Sequence, residues 1–224
     1  MKDLAVKMAF VIVQAFIFYL GIFTDSIYIQ EIRFFSILLS FLFAFFYFKS
    51  KRLWRFGRQF IIGGLLFTTT ADYFLVVANE QYELGVLLFF VAQYSYSLYL
   101  SKDLGCLQKM RHLGICMGMG VVANVIAYLF FGKMIALIVL SLFYATFFIG
   151  NVVCVYRNPA GKKLFAAGLT LFVLCDICVV LSNLDTYFPK VIIDERVSVL
   201  IWVFYIPSQV CIALSACQKV LEIE

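Results

Sequence analysis

Two lone aspartates, Asp72 and Asp176, lie inside long apolar runs of this 224-residue chain, residues 64–78 and 168–181. A carboxylate at the centre of a membrane helix costs about 2.5–3.5 kcal/mol on insertion scales, so each must be paired, wetted or protonated. Two carboxyls sharing an apolar site cannot easily both ionise, and one neutral acid beside one carboxylate is a general acid and general base pair. If each instead only hydrogen-bonds a neighbouring helix, the contact returns about 0.6–2 kcal/mol, less than insertion costs. Asp72 and Asp176 are therefore the candidate catalytic residues.

Other polar groups recur near them. In the run that holds Asp72, the residues Thr69, Asp72 and Asn79 share one helical side at spacings of three and seven, with Thr68 beside them. The next run offers Gln93, Tyr96 and Ser97, and the last offers Tyr205, Ser208 and Gln209 around Pro207, which kinks a helix. Asn124 and Asn151 lie in the fifth and sixth runs. Thr69, Gln93, Tyr96, Asn124, Asn151, Tyr205 and Gln209 form the candidate substrate-binding set, because amides, phenols and hydroxyls can hold a carboxyl, a hydroxyl or a water.

No residues are set out for metal or cofactor chemistry, and neither is expected. The only histidine, His112, falls in a basic connection, which excludes a zinc hydrolase with several histidine ligands. Cys175 and Cys178 have C-x-x-C spacing around Asp176, but no second cluster completes it, and on a helix such a pair is ordinary packing. There is no G-x-S-x-G for a serine hydrolase and no glycine loop for phosphate; Gly114, Gly118 and Gly120 read as small packing residues in a membrane helix. The seven cysteines are odd in number and form no disulfide framework, so free thiols are expected.

These side chains need membrane helices to position them. The chain is 64% hydrophobic and 14% charged, against about 45–50% apolar and 25% charged in a soluble domain. Eight apolar runs are long enough to span, at about 8–23, 34–48, 59–78, 84–100, 113–131, 134–156, 163–181 and 197–217. The first has no small-residue cleavage site and reads as a retained helix. All but Arg33, Lys133, Lys190 and Arg196 of the 18 Lys and Arg residues fall in the termini and alternate connections on one side. The positive-inside bias makes that side cytoplasmic, with both termini on it, and requires an even number of spans. The net charge of +5 is then a topology signal, and no nucleic-acid partner is implied.

The expected fold is an all-α, polytopic bundle of eight transmembrane helices, one integral membrane domain over residues 1–224. Laying Asp72 on Asp176 also lays Gly64 on Gly168, Val76 on Val180 and Asn79 on Asn183. In the following runs, Phe89 and Gln93 match Tyr205 and Gln209. Two parallel four-helix repeats, about 1–105 and 106–224, account for this pattern. The equal distance from each aspartate to its asparagine, about 10 Å at the helical rise, sets both carboxyls at one depth in the outer half.

The pattern Gly64-Leu65-Leu66-Phe67…Asp72-Tyr73-Phe74-Leu75, with Phe89…Gln93…Tyr96, Gly168…Phe172…Asp176 and Trp202…Tyr205…Gln209…Ala213-Leu214-Ser215, resembles the YhhN-like lysoplasmalogenase family of eight-helix membrane proteins. The resemblance spans nearly the whole chain. It implies hydrolysis of the vinyl ether bond of lysoplasmalogens to a fatty aldehyde and a glycerophospho-alcohol, with paired intramembrane aspartates that match Asp72 and Asp176. Three positions depart from the family pattern: Ala71 for a glycine, Cys175 for a serine, and Gln93 where many members have histidine, a proton carrier. The implied partners are a lysophospholipid, water and the surrounding membrane lipid, and the expected location is the plasma membrane of a bacterium. Headgroup, chain length and oligomeric state are left open.

Vinyl ether hydrolysis suits these residues, with one aspartic acid protonating carbon and the other, ionised, stabilising the cation and activating water. Gln93, Tyr205 and Gln209 would orient water or the glycerol hydroxyl. Paired buried carboxylates in a parallel repeat also suit a proton-coupled small-molecule transporter. A lipid-binding scaffold is the third class, and it alone would survive neutralisation of both aspartates.

Overall fold

The structure is a computed structural model that describes residues 2–24, 27–50, 57–102, 104–132, 134–157, 162–183 and 196–218. Each apolar run forms a helix: α1 Lys2–Phe23, α2 Ile29–Ser50, α3 Arg58–Asp72, α4 Tyr82–Leu100, α5 Cys106–Phe131, α6 Ala136–Arg157, α7 Lys163–Ser182 and α8 Arg196–Ala216. In hydrocarbon a helix satisfies its own backbone, so a chain this apolar has few other solutions. All eight are long and apolar enough to cross a membrane. The protein is an all-helical, multi-pass integral membrane protein.

Two elements depart from the expected spans. α5 begins at Cys106, about two turns before the apolar run, because Gln108, Lys109, Arg111 and His112 continue the helix without adding hydropathy. His112 is thus on a helix and not in a connection. After Asp72, α3 widens into a π-helical segment, Tyr73–Ala78, and ends at Asn79 in left-handed backbone with φ 51°. Asparagine tolerates that conformation better than most residues. The wider turn breaks the 3.6-residue extrapolation from Thr69 to Asn79. Asn79 is exposed at the helix end, where its Oδ1 accepts a hydrogen bond from the Tyr82 hydroxyl at 2.7 Å.

The chain divides into two compact units. The first joins Met1–Ala44 to Gly161–Glu224, and so contains α1, most of α2, α7 and α8. α7 and α8 approach closely at Gly168, where an added Cβ would come within 2.7 Å of Ile212 and 3.0 Å of the Ser208 carbonyl oxygen. Gln14 ties α1 to α2: its Nε2 donates to the Ser36 carbonyl at 2.9 Å and to Ser40 Oγ at 3.0 Å, and Ser36 Oγ donates back to Gln14 Oε1. Lys7 Nζ donates to the Cys217 carbonyl at 2.8 Å, which sets the beginning of α1 and the end of α8 at one end of this unit. Arg33, expected among the connecting charges, is buried on α2. Its Nε donates to the Gly21 carbonyl at 2.9 Å, and its guanidinium lies 5.0 Å from the Trp202 ring centroid. A guanidinium stacked on an aromatic face can leave water where a bare point charge cannot.

The second unit, Phe45–Ala160, contains α3, α4, α5 and α6. Small residues again set the contacts. A Cβ on Gly64 would overlap the Tyr96 ring, one on Gly120 the Phe143 ring, and one on Gly150 the Cys116 sulfur. Gly114 and Gly118 differ from Gly120: an added Cβ there meets nothing within 4 Å. They are not packing residues among the described helices. The exposed side of α5 is lined by Ile115, Val122, Ile126 and Leu129, as suits a surface facing lipid tails.

Gly64→Ala drives a methyl into the Tyr96 ring and is expected to cost about 1–3 kcal/mol, as overpacking does. The thermal unfolding midpoint of detergent-purified protein should fall. Gly63→Ala, whose methyl meets nothing within 4 Å, should leave the midpoint unchanged or raise it.

Candidate active site

Gly64 opposite Tyr96 and Leu75 opposite Gly85 belong to one antiparallel register of α3 against α4. Spacings of four put Gly64, Thr68 and Asp72 on a single stripe of α3. Tyr96 has no exposed surface, and its phenol faces Thr68 and the Asp72 carboxyl. Side chains lean toward the start of their own helix, so on antiparallel neighbours they lean toward one another. This is how a tyrosine opposite Gly64 brings its hydroxyl to an aspartate two turns along α3. Asp72 itself is only 3% exposed, at the point where the α-helix passes into the π-helical segment. Such wide turns recur at functional sites. Thr69 is buried next to this stripe, but its hydroxyl donates to the Leu65 carbonyl of its own helix at 2.8 Å.

One turn before Tyr96 on α4, Gln93 faces α6. Asn151 Nδ2 donates to the Gln93 main-chain carbonyl at 2.8 Å and to Gln93 Oε1 at 3.0 Å, while Ser97 Oγ donates to Asn151 Oδ1 at 2.6 Å. Gln93, Ser97 and Asn151 are all without exposed surface. His112 of α5 joins the same cluster through the Asn151 side chain, against a stretch of α6 where Gly150 leaves room for Cys116 and the imidazole. The only histidine in the chain is therefore part of a buried polar network, which its place among basic residues hid. Ser97 is the other member that spacing did not single out for a role, and only the α4–α6 contact reveals it. Asn124 is buried on α5, and its Nδ2 donates to the Gly120 carbonyl of its own helix at 2.9 Å.

The first unit presents a parallel arrangement on α7 and α8. Gly168, Phe172 and Asp176 form the corresponding stripe at spacings of four, and the Phe172 ring packs 5.2 Å from that of Tyr205. Tyr205 also meets Trp202 edge-on at 5.9 Å, so a short aromatic column leads to Arg33. Asp176 is half-buried, flanked by the buried free thiols of Cys175 and Cys178. Gln209 is fully buried; its Nε2 donates to Ser208 Oγ at 3.3 Å, and Ser208 Oγ donates to the Tyr205 carbonyl at 2.8 Å. The sequence-expected residues thus divide into Thr69, Asp72, Gln93, Tyr96, Asn124 and Asn151 in one unit and Asp176, Tyr205 and Gln209 in the other. Among the described residues no group of three or more His, Cys, Asp or Glu side chains is gathered to hold a metal ion. What the second unit offers chemically is a buried carboxyl beside a phenol, with a structured amide one turn away.

No curated protein and no solved structure matches the chain. The sequence model of the YhhN family does, over residues 31–216, from the first turn of α2 to the last residue of α8, and this span includes both aspartates and both glutamines; the chain belongs to that family.

Proposed function

We propose that the protein is a lysoplasmalogenase-type hydrolase of a bacterial plasma membrane that opens the vinyl ether bond of a lysoplasmalogen by acid–base catalysis with Asp72 and Asp176. The observation that carries this reading is the Asp72 carboxyl, buried on a membrane-spanning helix beside the Tyr96 phenol. Family membership supports it. The second carboxyl is assigned from the sequence, where Asp176 occupies the position matching Asp72.

The reaction needs two proton-handling groups and no cofactor. The alkene carbon remote from oxygen takes a proton from one neutral carboxyl, which leaves an oxocarbenium ion. The other carboxyl, ionised, stabilises that cation and removes a proton from water as the water oxygen bonds to the carbon. The product is a hemiacetal, with each carboxyl now in the opposite state. Collapse reverses them. The first takes the hemiacetal hydroxyl proton, the second protonates the ether oxygen, and the carbon–oxygen bond breaks to give aldehyde and glycerophospho-alcohol. The pair ends as it began, ready for another turnover. Tyr96, held against Asp72, would tune and orient that carboxyl, while the apolar helix faces accommodate the alkenyl chain.

Aldehyde release from lysoplasmalogen by purified protein in detergent should fall by about 10²–10⁴-fold in Asp72→Asn and in Asp176→Asn, the range expected for losing a proton-transfer group. Normal turnover in either single variant would sink the pair. Gradient-dependent uptake in liposomes with no aldehyde in detergent would identify a proton-coupled carrier instead.

Tyr96→Phe removes only the hydroxyl beside Asp72 and keeps the ring against Gly64. It should lower kcat about tenfold, equivalent to about 1.4 kcal/mol, with an unchanged unfolding midpoint.

A further inference from the structure

The polarity of the Gln93 amide is fixed by its neighbours. A main-chain carbonyl can only accept, so the Asn151 atom 2.8 Å from the Gln93 carbonyl oxygen is the amide nitrogen. Asn151 Oδ1 is then the atom that accepts from Ser97. Because Asn151 Nδ2 donates at 3.0 Å to the Gln93 side chain as well, the Gln93 atom there is Oε1. Its Nε2 is thereby turned away from α6, is buried, and meets no hydrogen-bond acceptor among the described residues. A donor buried without a partner carries its full desolvation cost, and a native protein keeps such a group where something else completes it.

An acceptor is what it must meet, and the surroundings narrow the kind. Gln93 lies midway along α4, between Glu83 in the first turn and Ser101 beyond the last. The basic residues of the helices beside it stand at their ends, Arg58 at the start of α3 and Arg157 at the end of α6. No cation at the level of Gln93 on these helices is placed to match a phosphate, so the acceptor is an uncharged oxygen. Gln93 and Tyr96 are neighbours at a spacing of three on α4, and Tyr96 faces Thr68 and Asp72. A water near Gln93 would have the two to four polar partners that a buried water requires.

We infer that Gln93 is the donor that holds the nucleophilic water by its oxygen, and that Asn151 and Ser97 are positioning residues that act through it. The inference rests on the vinyl ether reading above. A water that accepts from Gln93 Nε2 keeps its second lone pair for the oxocarbenium carbon and both protons for acceptors. As its oxygen bonds to that carbon, one proton passes to the ionised carboxyl and the other stays as the hemiacetal hydroxyl. The amide gives up no proton. It sets where the oxygen sits and which way the protons point.

Capture of the cation by added methanol separates this role from a structural one. Methanol gives a mixed acetal where water gives aldehyde, so the product ratio reports how well water is held. With a lysoplasmalogen substrate and detergent-purified protein in buffer containing methanol, Gln93→Met should lower kcat about tenfold, leave KM within about twofold and raise the acetal share. Asn151 keeps the Gln93 main-chain carbonyl as its acceptor in that variant, so the unfolding midpoint should hold. Ser97→Ala, which touches Gln93 only through Asn151, should move the product ratio in the same direction by a smaller amount. Adding Ser97→Ala to Gln93→Met should change it no further, because groups that act through one another are not additive. An unchanged kcat and product ratio in Gln93→Met, with normal wild-type turnover, overturns this inference alone. A rise in KM with kcat and ratio unchanged also overturns it, by showing that the amide holds the lipid. Absence of aldehyde from the wild-type protein overturns the parent reading and this one with it.

Discussion

The missing side chain at Gly64 is the feature on which the second unit's polar layer depends. In hydrocarbon no hydrophobic force draws two helices together, so close packing of small residues against large ones must do so. The Tyr96 ring lies where a Cβ on Gly64 would be, and the Leu75 side chain lies where a Cβ on Gly85 would be. These two contacts fix how α4 is rotated and how far it slides along α3. Rotation then decides everything downstream: the Tyr96 hydroxyl meets Asp72, while Gln93 and Ser97, three residues before and one after, turn to α6 and find Asn151. One methyl at position 64 would disturb all of them together.

The first unit uses the same device with different chemistry. Gly168 approaches α8 at Ile212, and the offsets that match Gly64 to Gly168 and Gln93 to Gln209 also match Tyr96 to Ile212. Where the second unit has Thr68 and a tyrosine hydroxyl along its stripe, the first has Phe172 and an isoleucine. The glutamines differ in a parallel way. Gln93 is left with its donor uncommitted, whereas Gln209 spends its donor on Ser208 and leaves Oε1 without a hydrogen-bond partner among the described residues. Asp72 is buried and Asp176 is half-buried. Two carboxyls in unlike surroundings are what a division into acid and base requires, since identical environments would give neither a preference.

The eight spans were legible because hydropathy is a property of local sequence, and membrane helices must be apolar almost throughout. Asp72, Gln93 and Asn151 were legible for the converse reason, as polar residues that stand out against such a background. What spacing alone could not show were features decided by contact. The wide turn after Asp72 depends on how Leu75 seats against Gly85, so extrapolating a regular helix put Asn79 on the wrong side. His112 looked like one more member of a basic connection, because a helix that extends beyond the apolar run leaves no hydropathy signal. Its meeting with Asn151 belongs to the α5–α6 packing. Arg33 likewise read as a loop charge until Trp202 supplied a face to cover it.

The membrane solvent gives a way to separate structural polar groups from working ones. Most hydroxyls in these helices donate back to a carbonyl three or four residues earlier, as Thr69, Ser95, Ser101, Thr170 and Ser215 do. Such a group is satisfied within its own helix and asks nothing of a neighbour. Gln14 with Ser36, and Asn151 with Gln93 and Ser97, instead bond between helices, which adds geometric constraint to satisfaction. An amide has one donor end and one acceptor end, so a network that engages one end tightly also aims the other. Gln14 has both ends engaged by α2 and is complete as a structural tie. Gln93 has one end engaged and the other directed away, and that difference, in two residues of the same type buried in the same kind of protein, marks the second as part of a site.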